Sequence, residues 1–139
     1  MPEQPDARHQ RPEGAEDATV AAAGKVSEAM EWVIRARGRL YDFHQMMGHA
    51  DLQFGEAVEL LEDAGHTELA EGLRRELVGH NAIDDRWTFE VVEGFDHTYW
   101  DAALDWDRRV RDELMAGREH VHEAEMKADR RTDGPADDT

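Results

Sequence analysis

Apolar residues recur at helical spacing through most of the chain. At about 100° per residue, Val26, Ala29, Met30, Val33, Leu40 and Met47 fall on one face, with Glu28, Glu31, Arg35, Arg39 and Asp42 opposite. This predicts a helix from about Thr19 to Gly48. A second is expected from Asp51, a candidate N-cap, to Ala64, with Phe54, Ala57, Val58 and Leu61 inward. Gly65 supplies a stop and Thr67 a new cap. A third helix is expected from Glu68 to His80, burying Leu69, Leu73 and Leu77. After "GHNAIDD" a fourth begins near residue 86, capped by Asp84 or Asp85, and runs toward residue 128.

The stretch "RWTFEVVEGFDHTYWDAALDW" carries three of the four tryptophans. Its first residues alternate as a strand would, but no second strand is in view to satisfy a lone strand's backbone. As a helix, it places Val92, Phe95, Tyr99, Ala102, Ala103, Trp106 and Val110 on one face. Glu93, His97 and Asp101 stand on the other at i, i+4, i+8, as a solvated face with local support would. The aromatic stripe is expected to be core, or the seam of a homodimer.

No proline interrupts the body of the chain, and Ala, Leu, Glu and Arg are abundant there. The predicted fold is all-α: a bundle of about four helices, the first and last long, with a short helical hairpin between. Residues 1–17 hold three of the four prolines and little that is apolar, so they are expected to form a disordered tail. Residues 129–139 are expected to form a second tail, leaving 18–128 as the helical domain.

Charge changes the picture of the surface. The formal net charge is −17, from 33 acidic and 16 basic residues, and only Lys25 and Lys127 of the basic ones are lysine. Such a surface repels nucleic-acid phosphates and anionic lipid, so neither is an expected partner. Acidity with scarce lysine fits a protein dissolved in molar salt, or a genome that favours arginine codons. No run of apolar residues is long enough to span a membrane, and the polar N-terminus does not read as a signal peptide. A cytoplasmic location is expected. Without cysteine there is no disulfide, thiolate metal site or thiol nucleophile.

Candidate chemistry lies in the polar residues that fall on apolar faces: Arg37, His44, Glu76, His80 and Asp96. Burying any of their charges unpaired is costly, so an inward arginine and an inward aspartate are expected to meet. Three readings follow. The set is a structural network; or a small-ligand site in which Arg37 binds a carboxylate or phosphate; or a metal site using His44, His80 and Asp96 or Glu76, for which a divalent transition metal is the candidate cofactor. The Glu-x-x-His pairs of di-iron bundles are not matched by "EHVH" or "DAGH". Ser27, the only serine, has no base within evident reach, and no glycine-rich phosphate loop is present. An enzyme is therefore not expected. The leading expectation is a small acidic helical protein acting through protein–protein contacts, as a homodimer, other oligomer or adaptor. The alternative is a metal- or small-ligand-binding bundle.

Overall fold

A computed structural model describes residues 4–131. The protein is all-α. Its elements are a 3-10 turn at Ala7–His9, α1 (Asp17–Asp63), α2 (Thr67–Glu76), α3 (Thr88–Phe95), a π turn at Asp96–Trp100, α4 (Asp101–Met115) and α5 (Val121–Arg130). Among the described residues there is no strand, only an isolated bridge between Ile83 and Arg86. Among the described residues, no helix is long and apolar enough to cross a membrane.

The first two expected helices are one. α1 runs through "GHAD" without a break. A mid-helix glycine costs only about 1 kcal/mol, and Asp51 is not a cap. Its side chain instead accepts a hydrogen bond from the Gly79 backbone N–H at 2.7 Å. α2 ends at Glu76 rather than His80, because the chain turns through Gly79 at φ 78°. The expected stripe on this helix forms only in part, with Leu73 half-buried. Ala70 is its buried residue, while Leu69 and Leu77 are exposed. Neither Asp84 nor Asp85 caps α3, which starts at Thr88, and the Glu90 carboxylate accepts the Trp87 backbone N–H at 3.0 Å. The last helix also stops early. Ala116 and Gly117 take left-handed conformations before the chain restarts at Val121.

The π turn accounts for the largest departure from the expected faces. A π turn holds one more residue than an α turn would, which rotates everything after it by about 100°. The inward face of α4 is accordingly displaced by one position. Tyr99, Ala102 and Trp106, expected inward, are exposed. Ala103 and Val110 keep their expected half-buried places, and Trp100, Leu104, Asp107 and Arg111 join them.

Contacts divide the chain into two units: Arg35–Tyr99, and the described residues before Arg35 together with those from Trp100 onward. In the second of these, Val20 and Ala23 of α1 pack with Met115 and Val121, and Ala15 and Val110 lie against them. Gly24 is required here: a Cβ would stand 2.6 Å from the Cβ of His122. The expected tails fall partly outside the described residues. Within them, the stretch before α1 is tied down. Arg11 donates to both carboxylate oxygens of Glu125, at 2.8 and 2.5 Å, and to Asp17 at 2.7 Å. His9 donates from Nδ1 to the Glu119 carbonyl at 2.7 Å, and Arg118 donates to the Gln10 carbonyl at 2.9 Å. At the other end α5 reaches Arg130.

In the Arg35–Tyr99 unit, α1 meets the returning chain along one line of residues spaced by seven. Arg37 pairs with Asp96, His44 with Thr88, and Asp51 with Gly79. Val58, the next in line, is buried. Seven residues are close to two helical turns, so these four stack along a single edge. Their partners descend in sequence as they ascend, which is the signature of antiparallel packing.

Candidate functional site

The five polar residues singled out from the sequence all belong to the Arg35–Tyr99 unit. Arg37 and Asp96 are brought together. The guanidinium Nε and Nη2 donate to the two carboxylate oxygens at 2.7 and 2.9 Å, in the parallel fork that suits these groups. Both side chains are about one-third exposed or less. The hydrogen bonds from Arg37 hold the Asp96 carboxyl below the ordinary aspartate range, against the opposing effect of burial. Asp96 in turn raises the Arg37 guanidinium. His44 is half-buried, shares a 2.6 Å hydrogen bond with the Thr88 hydroxyl, and meets Tyr41 edge-on.

Glu76 and His80 are placed differently. Glu76 is exposed and lies 3.7 Å from Arg75. His80 is exposed, and its Nε2 donates to the Arg75 carbonyl at 2.9 Å. His44, His80 and Asp96 do not converge on a common point as metal ligands would. Among the described residues, the one trio of such donors that does is Glu31, His120 and Glu123, with ligand atoms all within 4.8 Å of one another. Nothing in the spacing of the sequence marks this trio, because a chain reversal brings it together. His120 sits at φ 58° just before α5, its ring edge-on to His9. All three ligands are exposed, and the N-terminal end of a helix disfavours a cation. Beside them opens a recess of about 150 Å³ between α1 and the later helices of the same unit, where Asp107 and Arg111 pair at 3.2 Å. That inward ion pair was hidden from the sequence by the π turn.

The surface is more distinctive than the polar clusters. Among the described residues of the Arg35–Tyr99 unit, Val58, Ala70 and Val92 are the buried apolar side chains, a thin core for its length. Against them stand Tyr41, Phe43, Met46, Leu52, Phe54 and Leu60 on α1 alone, all exposed, with Met46 at 64% and Leu60 at 68%. Trp87 and Phe89 lie exposed beside each other, ring centroids 5.7 Å apart. Among the described residues, no buried side-chain nitrogen or oxygen lacks a partner. Compared with protein-family models, with curated proteins and with solved structures, the chain finds no match.

Proposed function

We propose that this protein acts through protein–protein contacts and that it self-associates, using the apolar surface of the Arg35–Tyr99 unit. The observation that carries this reading is the imbalance just described, three small buried side chains against six large exposed ones distributed around α1. Apolar surface left in water in contiguous patches marks an interaction face, and a unit with so little core gains stability by covering it. The strongly acidic remainder of the surface keeps unspecific association in check. A ligand- or metal-binding role for Arg37, His44, Glu76, His80 and Asp96 is less favoured. Arg37 and Asp96 satisfy each other, which leaves little capacity for a ligand between them.

Sedimentation velocity over a range of protein concentrations tests the proposal. The expected result is a dimer or larger species that dissociates on dilution, in high and low salt alike, since apolar burial drives it. A species that sediments as a monomer throughout the range overturns it.

A further inference from the structure

α1 of the Arg35–Tyr99 unit carries a second line of residues at heptad spacing, beside the one that holds its own chain. Ala36, Phe43 and Ala50 recur every seven residues, and Arg39, Met46 and Gln53 recur every seven between them. Alternating steps of three and four are the pattern of a coiled-coil seam. All are exposed except Ala50, which is half-buried. The inward line through Arg37, His44, Asp51 and Val58 is already engaged. Beside the engaged line the helix thus carries a second face at this spacing, apolar at Ala36, Phe43, Met46 and Ala50 and polar at Arg39 and Gln53.

We infer that a second copy of this chain covers the other seam, its α1 running antiparallel about a two-fold axis between His44 and Gln45. This rests on the self-association proposed above and names the partner and its register. The seam is complementary to itself when reversed about that point. Phe43 then meets Met46 at the centre. Arg39 lays its aliphatic stem on Ala50, and Gln53 lies on Ala36, so each alanine of the seam faces a long side chain. The flanking charges agree with the same register. Arg35 comes opposite Glu56, and Asp42 opposite His49, where a shift of one heptad would lose both pairings. A two-fold interface of this kind closes on itself and stops at a dimer.

The absence of cysteine permits a direct test, because one introduced thiol carries a unique spin label. Gln45→Cys and Glu59→Cys occupy the same heptad position two repeats apart. In the antiparallel pair, the two labels at position 45 lie side by side. Those at position 59 are about 40 Å apart along the axis, at 1.5 Å per residue. Pulsed electron resonance on the full chain should therefore give a short distance for the first variant and a long one for the second. Equal distances at both positions would overturn the antiparallel register while leaving self-association standing. A monomer in sedimentation would remove both. Register is checked independently by charge reversal. Arg35→Glu is expected to weaken the dimer and Arg35→Glu with Glu56→Arg to restore it, helicity being equal in all three. A Phe43→Glu chain should raise the dissociation constant about tenfold or more; an unchanged constant would place the contact elsewhere.

Discussion

Arg37 and Asp96, 59 residues apart in sequence, meet through two hydrogen bonds of 2.7 and 2.9 Å. The pair joins α1 to the start of the π turn. It fastens one end of the line on which His44 and Asp51 hold Thr88 and Gly79. An aspartate at the entry to a π turn and an arginine on the engaged edge of α1 are thus one structural device.

Replacing either member should therefore expose their dependence on each other. Asp96→Ala and Arg37→Met are each expected to lower the thermal midpoint by several degrees. The double variant should lose clearly less than the two losses added together, as neighbours in one interaction do. Additive losses in a double-mutant cycle would show that each residue acts through other contacts.

Acid should release the same clasp. The Asp96 carboxyl is held below the ordinary value near 3.9 by the hydrogen bonds from Arg37. A depressed folded-state value means that ionised Asp96 stabilises the fold at neutral pH. Its contribution is full above the unfolded value and fades as the pH falls through the folded one. Carbon-detected titration should place the Asp96 midpoint below the ordinary aspartate value. In Asp96→Asn, the loss of stability below about pH 4 should be shallower than in the parent.

The histidines separate by their surroundings. His44→Leu leaves the Thr88 hydroxyl unpaired at a half-buried position and is expected to cost about 1–2 kcal/mol. His97 is exposed, and His97→Gln should change stability by no more than about 0.5 kcal/mol. Chemical denaturation of the two variants gives both figures, and the reverse order would contradict the described orientation of the helix.

Glycines within α1 should diverge in sign. Nothing lies within 4 Å of a Cβ built on Gly38 or Gly48, so alanine there is expected to stabilise by about 0.5–1 kcal/mol. At Gly24 the same change collides with the Cβ and Cγ of His122, atoms that move only if α5 moves. Gly24→Ala should destabilise, and thermal melts of the three variants suffice to compare them.

Removing residues 1–16 is expected to lower the midpoint by several degrees, because Arg11, His9 and Gln10 tie the segment to Glu125, Glu119 and Arg118. An Arg11→Gln chain should reproduce part of that loss. Equal melting of the full and shortened chains would mean that these hydrogen bonds contribute little beyond those made with water.

The helical character of the chain was legible throughout, because spacing and the absence of internal proline both act locally. That Arg37 would meet an inward carboxylate was also expected, with Asp96 and Glu76 both open, and Asp96 is the one that it meets. What local pattern could not convey was where a helix ends or changes phase. The "GHAD" segment looks like a break, yet α1 runs through it, and its Asp51 accepts from the Gly79 backbone instead of capping a new helix. The π turn leaves no plain mark in "DHTYW", and by adding one residue it turned Trp106 outward and Asp107 and Arg111 inward. Glu31, His120 and Glu123 come together only through the reversal at Ala116 and Gly117. The second seam of α1 was in the sequence all along, as the recurrence of Ala36, Phe43 and Ala50, but it is recognisable as a seam only once the other edge is known to be occupied.

The π turn also makes chain length, rather than residue identity, the sensitive variable in this part of the protein. From the end of the turn through α4 the chain carries two faces, one presenting Tyr99 and Trp106 and the other Leu104, Asp107 and Arg111. Deleting a single residue between Asp96 and Trp100 would restore plain α-helical winding and exchange the roles of these faces. Aromatic rings would turn toward the interior and an ion pair toward water, with no side chain in α4 altered. A related chain that differs here by one residue would thus present another surface to its surroundings while keeping nearly every letter of its sequence.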